Sequence, residues 1–330
     1  MKALLAMPES LPGLIFDPAQ LERLSQLADV DTSAPVGDWA CAAGTDLAAT
    51  EVVITGWGSP RIDAQVLARM PRLRAIVHTA GTVRFVVSEA VWERGDVVVT
   101  SSTEANAIPV AEFTLAQILL AGKRSLALES RYRAGRDVRS AGAGVAGTGN
   151  YGSVVGLIGA SRIGRLVADL LRPFDIEVLI SDPYVGATEI AALGGTKVEL
   201  AELFSRSDVV SLHAPDVPST QGMVSAELLA LMREGTTFIN TARPALVDEQ
   251  ALRRELLSGR LSAVLDVHDQ LPADDPLWDL DTVSITPHIA GSQGNELHRM
   301  GEYALEEIRR LACGEPARYP VDPALLDITA

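Results

Sequence analysis

Along this chain, short apolar runs alternate with stretches in which apolar positions recur every three or four residues. In the first hundred residues the runs predict strands over 3–7, 51–57, 73–78 and 97–100, with helices over 18–28, 63–70 and 88–94 between them. Apolar runs without polar alternation suit strands buried on both faces. Strands joined through helices lie parallel, so this half reads as a small α/β domain. Residues 106–133 then read as one long helix, with Ala111, Leu115, Ile118, Leu119, Leu126 and Leu128 on or near one face. The stretch 136–152 is rich in Gly, Ala and Ser, lacks periodicity and reads as a surface connection.

The second half opens with the apolar run 153–158, the turn Gly159-Ala-Ser-Arg-Ile-Gly164 and a helix marked by Ile163, Leu166, Val167, Leu170 and Leu171. A second run, 176–180, ends just before Asp182. A dinucleotide-binding βαβ unit needs these parts in this order: the helix N-terminus faces a pyrophosphate and the acid reaches ribose hydroxyls. Ser161 stands where the fingerprint has its middle glycine, adding a small Cβ and a hydroxyl able to bond a phosphate oxygen. The alternation resumes with strands at 197–198, 209–213, 237–241, 261–266 and 283–286. Helices at 200–206, 225–232 and 248–258 lie between them, the last ended by Gly259. The closing helix, 296–312, has no following strand in its own half and is expected to cross back to the first.

Composition narrows the function classes. A chain of 330 residues, 47% hydrophobic and 22% charged, is long enough for two globular domains with filled cores. A net charge of −15 argues against nucleic acid or an anionic membrane as the main partner. Cys41 and Cys313 offer neither metal-ligand spacing nor a disulfide framework, so no metal is expected. The N-terminus has too short an apolar run for a signal segment, and no stretch was counted as approaching the roughly 20 apolar residues of a membrane span. The expected location is the cytoplasm.

Polar residues gather where the strands of the second half end. They are His213 and Pro215, then Asn240-Thr-Ala-Arg243, then Asp266, then His288 with Ala290-Gly-Ser292. Ligands bind at that edge of an open parallel sheet. This ordered series resembles the D-isomer-specific 2-hydroxyacid dehydrogenase family, which includes phosphoglycerate, glycerate and formate dehydrogenases. The motifs that carry the likeness are SLHAP (211–215), INTARPALVDEQAL (239–252), LDV (265–267) and TPHIAGS (286–292).

The resemblance implies an α/β fold of two Rossmann/flavodoxin-like parallel-sheet domains. An NAD domain, 104–293, would be inserted into a substrate domain made of 1–103 and 294–330. It implies hydride transfer between NAD and a small 2-hydroxy or 2-keto acid. Arg243 matches the substrate-binding arginine, whose guanidinium can hold the acid and stabilise developing alkoxide charge. His288 matches the acid/base, and histidine exchanges protons near neutrality. The loop Thr79-Ala80-Gly81-Thr82 matches the backbone site for the substrate carboxylate, with Arg84 and Trp57 as neighbours able to add an anion contact or an apolar wall. For the cofactor, Gly159, Ser161, Arg162 and Ile163 match the pyrophosphate turn, and Asp182 matches the ribose acceptor. Asp182 would repel a 2′-phosphate, so NAD is favoured over NADP. His213, Ala214 and Pro215 match the adenosine side; Thr241, Ala242, Asp266, His288 and Gly291 match the nicotinamide side. A homodimer formed through the NAD domain is also implied.

One departure bears on chemistry. The family places a glutamate before a proline, five residues after the aspartate matched by Asp266, to bond the catalytic histidine; here Leu271 precedes Pro272. Three readings stay open. Asp269 or Gln270 reaches His288 from a shifted loop; or His288 works unassisted with a lower pKa, and reduction, which needs the protonated ring, fades as pH rises through that lowered value; or the chain is an NAD(H)-binding sensor or scaffold with little or no dehydrogenase activity. A hydride-transfer enzyme acting on another oxo-anion or a phosphonate is a further possibility. Pro244-Ala245 also replaces the small Gly pair that usually follows the arginine, which leaves the guanidinium available.

Overall fold

The computed structural model describes residues 1–42, 46–137 and 148–326. The chain divides into two compact units: Met1–Asn106 with the segment that starts at Ser292, and Ala107–Gly291.

In the first unit, β1 (Ala3–Ala6), β2 (Val52–Thr55), β3 (Ala75–His78) and β4 (Val98–Ser101) form a parallel sheet in the order β1-β2-β3-β4. A parallel bridge from Lys2 to Asp29 adds the start of a further strand outside β1, which gives the 2-1-3-4-5 order of flavodoxin-like sheets. The strands are largely apolar because both faces are covered, with Thr55, His78, Thr100 and Ser101 toward their C-terminal ends. Leu4, Ala6, Val53, Ile76 and Val99 pack with Trp39, Leu67, Met70 and Val91 on one face. Leu5, Val52, Ile54 and Val77 pack with Phe16, Leu24, Leu305 and Ile308 on the other. Each such side chain removed from water contributes about 1.5–3 kcal/mol. The closing helix, Leu297–Cys313, belongs to this second face, so the chain does return to its first unit.

In the second unit, seven parallel strands run in the order β11-β10-β9-β8-β5-β6-β7. They are β5 (Ser153–Ile158), β6 (Ile176–Ser181), β7 (Thr196–Lys197), β8 (Val209–Leu212), β9 (Thr237–Asn240), β10 (Ser262–Leu265) and β11 (Val283–Ile285). The order reverses between β5 and β8, and the crevice outside the ends of such a pair is where dinucleotides bind in doubly wound sheets. Gly159 and His213 follow those two strands directly.

The structure corrects three expectations. The helix expected over 106–133 is two helices, Thr103–Gly122 and Ser125–Gly135, broken where Arg124 adopts a left-handed backbone (φ 49°). Asn150 occupies the space a side chain at 122 would need, and it donates from Nδ2 to the Leu119 carbonyl at 3.0 Å. The Gly149 amide bonds the Gly122 carbonyl at 2.6 Å, so the first helix is capped from a distant segment. Against the expectation of no such stretch, the 20-residue helix Thr103–Gly122 is, by length and composition alone, long and apolar enough to cross a membrane. Its buried apolar residues include Ala105, Ala107, Val110, Ala111 and Ile118. Helix Ala187–Ala192 and several single turns, among them Pro244–Leu246 and Pro276–Asp279, were not expected. Most of the connection expected over 136–152 lies outside the described residues.

Candidate active site

The Gly159 turn is built for close approach. Gly159 has φ +96°, and a Cβ there would stand 2.9 Å from the Ala214 amide nitrogen and 3.0 Å from the His213 carbonyl carbon. Only glycine allows β5 to pass so near the β8 loop. Ser161 is the N-cap of helix Arg162–Leu171, its Oγ accepting from the Gly164 amide at 3.4 Å, which leaves its O–H free to donate. The Ile163 amide in the first turn makes no hydrogen bond among the described residues. His213 is 4% exposed, and its Nε2 has no partner among those residues. Burial alone pushes its pKa down to about 4, so the ring is neutral at physiological pH. A shaped backbone cradle, a helix N-terminus and an orphaned buried nitrogen fit a dinucleotide.

Asp182 sits at the tip of β6, but its carboxylate is already engaged. One oxygen accepts the Ala160 amide at 2.8 Å; the other accepts the Tyr184 and Val185 amides at 2.8 and 3.1 Å. It therefore braces the glycine turn, with about one acceptor position of four left over.

Farther along the same sheet edge, Arg243, Pro244, Asp266, Val267, His268, Pro287 and His288 line an open cleft of about 270 Å³. Asn240 ends β9 and shapes the turn that carries the arginine: its Oδ1 accepts the Ala242 amide at 3.0 Å and its Nδ2 donates to the Arg243 carbonyl at 3.1 Å. Thr241 is buried beside Thr114, with their hydroxyls 3.3 Å apart. The Arg243 side chain is exposed, and its Nη1 donates to the Ala242 carbonyl at 2.6 Å. No carboxylate pairs with Arg243 among the described residues.

Asp266 is 1% exposed and holds the next turn together. Its carboxylate accepts from the Thr286 hydroxyl at 2.6 Å, the Ile289 amide at 2.8 Å and the Ala290 amide at 2.9 Å. Its backbone carbonyl accepts the His288 amide at 3.0 Å. These bonds close around His288, which has φ +57°. A left-handed non-glycine residue costs roughly 1–2 kcal/mol and persists only where its surroundings fix it. Asp266 supplies that fixation. The imidazole of His288 is exposed and has no hydrogen bond among the described residues. Gly291 follows the turn.

The position of the missing glutamate is resolved in physical terms. Leu271 packs against the second unit's core and cannot serve His288. Asp269 is engaged with Glu249, whose pKa is raised first by burial and next by the Asp269 charge. Gln270 is exposed and bonds no histidine. Among the described residues, none of the three makes a hydrogen bond to the His288 ring. The sequence reading assigns no role to His268, although it lies two residues beyond Asp266 at the same strand end. That position was the signal.

In the first unit, the Thr79 amide is tied to the Thr55 carbonyl at 2.7 Å, while the amides of Ala80, Gly81 and Thr82 have no partner among the described residues. His78, 2% exposed, supports this loop. Its Nδ1 lies 2.9 Å from the Thr55 hydroxyl and its other nitrogen bonds the Thr82 backbone; burial pushes its pKa down to about 4. Trp57, 43% exposed, stands in the turn after β2. A row of free amides is an anion-binding concavity.

The comparisons agree with this geometry. Residues 115–290 match the model for the NAD-binding domain of D-isomer-specific 2-hydroxyacid dehydrogenases. D-3-phosphoglycerate dehydrogenase of Mycobacterium tuberculosis is 35% identical over 256 residues, 77% of this chain and 48% of that protein. The chain thus spans about half the length of the phosphoglycerate dehydrogenases it matches. The (S)-sulfolactate dehydrogenase of Chromohalobacter salexigens is 33% identical over 254 residues, 76% of this chain and 81% of that protein. A phosphoglycerate oxidoreductase from Rhizobium etli shares the fold, with TM-score 0.82 at 24% identity over 98% of this chain and 99% of that one. This chain belongs to the D-isomer-specific 2-hydroxyacid dehydrogenase family, with an NAD-binding domain over residues 115–290.

Proposed function

We propose that the chain is an NAD-dependent dehydrogenase, or keto-acid reductase, acting on a 2-hydroxy or 2-keto acid. One observation carries this: Asp266 holds His288 in a strained turn, aimed into the cleft that the unpaired Arg243 also lines. When bound, the nicotinamide donates or accepts the hydride. Arg243 binds the acid and stabilises charge on the substrate oxygen; His288 gives or takes the proton at that oxygen. The free amides of Ala80, Gly81 and Thr82 are assigned to the substrate carboxylate. Gly159, Ser161, Arg162, Ile163 and Asp182 are assigned to the pyrophosphate and ribose; His213, Ala214 and Pro215 to the adenosine side; and Thr241, Ala242, Asp266 and Gly291 to the nicotinamide side. The relatives' own names are of acids with a second acidic group, which fits this class of substrate.

The test is NADH oxidation with a panel of 2-keto acids from pH 5 to 8, with Arg243→Ala and His288→Ala beside the native chain. Turnover that survives both substitutions would sink the mechanism. The second reading, an NAD(H)-binding sensor, is favoured by Leu271 facing the core and leaving His288 without a carboxylate. Tight NADH binding with no turnover on the whole panel would establish it. We also assign a homodimer through the NAD domain, since Leu120, Leu126 and Tyr132 are 49%, 42% and 49% exposed on neighbouring helices. A monomer mass in gel filtration refutes that assignment. The cytoplasm, with its NAD(H) pool, is the proposed location.

A further inference from the structure

The second histidine of the cleft is held as firmly as the first. The Nδ1 of His268 lies 2.8 Å from the Asp269 carbonyl oxygen. A carbonyl only accepts, so Nδ1 carries the hydrogen and Nε2, on the other side of the ring, is left with its lone pair. The ring meets Trp278 edge-on at 6.3 Å and 87°, and Trp278 is pinned by its own Nε1 donating to the Pro272 carbonyl at 2.9 Å. No partner takes Nε2 among the described residues. The ring is thus oriented from two sides and unused on the third.

The charge around it is one-sided. Although the chain carries −15 overall, the ionisable groups lining this cleft are Arg243, His268, His288 and Asp266. Asp266 has three donors on its carboxylate and offers little charge to a ligand. The Glu249 carboxyl lies against Asp269 and within electrostatic reach of His268. Arg243 and His288 are enough for one carboxylate and the oxygen that gains or loses the proton. A third group able to be cationic has no role with a monoanion.

We propose that His268 is a specificity-determining contact and that it takes the second acidic group of a dianionic 2-hydroxy or 2-keto acid. The inference rests on the reading of this cleft as the substrate site. The second group, whether carboxylate, sulfonate or phosphate, would accept a hydrogen bond from Nε2 once the ring is protonated, an interaction strengthened by charge.

The test compares matched acids differing by that one group. D-malate and D-lactate are titrated into the NADH-loaded protein, where no hydride acceptor is present and binding is read without turnover. Oxaloacetate and pyruvate are compared by kcat/KM for NADH oxidation. Both are repeated with His268→Phe and His268→Gln. The native protein is expected to bind malate at least tenfold tighter than lactate and to favour oxaloacetate by a similar factor. His268→Phe should bring both ratios to within about twofold, chiefly through Kd and KM rather than kcat, and His268→Gln should keep part of the preference. A native preference for lactate and pyruvate overturns the proposal. So do ratios that His268→Phe leaves unmoved, or a substitution whose whole effect is on NADH affinity. Failure of the dehydrogenase reading shows separately, as absence of turnover, and the malate-to-lactate binding ratio still decides the role of His268.

Discussion

The C-terminal edges of the two sheets prepare for a ligand in opposite ways. At the first sheet, side chains do the supporting and the backbone is left for the ligand. Buried, neutral His78 ties Thr55 to Thr82, and the amides of Ala80, Gly81 and Thr82 stay bare. At the second sheet the charged Asp266 gathers backbone amides, and the side chains of Arg243, His268 and His288 are left for the ligand. An edge of amides has a fixed partial charge that pH does not change. An edge of side chains can be titrated and replaced one group at a time. Substitutions at the second edge should therefore remove chemistry, whereas those at the first should loosen a shape.

The largest effect expected from this contrast is on turnover. Arg243→Ala should lower kcat/KM by about three orders of magnitude, as loss of a charge-stabilising donor does, and His288→Ala by about two to four. His78→Gln should act mainly on KM. Steady-state kinetics with one 2-keto acid separates the cases, and an equal loss of kcat in all three would erase the distinction between the edges.

Next comes the brace. Asp266→Asn keeps the size but turns an N–H toward at least one of the three donors it now satisfies. A buried donor left without an acceptor costs about 1–3 kcal/mol, so thermal melting should drop by several degrees and activity with it. Unchanged melting would mean that the turn holds His288 without Asp266.

How much of this was legible beforehand follows from what a sequence period encodes. Strand and helix order could be read because burial on both faces makes the runs of β5, β6 and β8 predominantly apolar. The glycine turn could be read because Gly159 answers a local backbone need. The break at Arg124 could not, because its cause is Asn150, far along the chain. The roles of Asp182 and Asp266 as acceptors of backbone amides were equally hidden: their positions at strand tips were visible, but three donors converging on one carboxylate is a property of folded loops. The placement of His268 was hidden too, because nothing in the run from Asp266 to Pro272 says which way each side chain turns.

Acid should affect the two units through the same kind of group. His78 and His213 are each pushed down to about 4 by burial, against about 6.5 in the unfolded chain. Above pH 6.5 both states are unprotonated there and neither histidine matters. Below it the unfolded chain takes up protons that the folded chain refuses, so stability is lost as pH falls from about 6.5 toward 4, by about 2 kcal/mol per histidine at pH 5. Denaturant unfolding at pH 7 and pH 5 measures the loss, and His78→Gln should remove one share of it.

The smallest effect runs in the opposite direction and is the sharpest test of how the second edge is built. His288 pays for its position with a left-handed backbone, at φ +57°, that glycine adopts freely. If the Asp266 bonds exist to hold a strained residue in place, His288→Gly should keep them, since the amides of 288, 289 and 290 remain, and should release the strain. Against this stands the extra freedom glycine gives the unfolded chain, which costs up to about 1 kcal/mol. The net expectation is a gain of up to about 1 kcal/mol over the native chain, whereas His288→Ala, equally strained and stripped of its ring, gains nothing. Turnover is lost in both. Chemical denaturation of the three proteins decides the matter, because glycine and alanine here differ in backbone preference alone. A glycine variant no more stable than the alanine variant would show that the turn is unstrained and that the Asp266 clamp serves only to cap its amides.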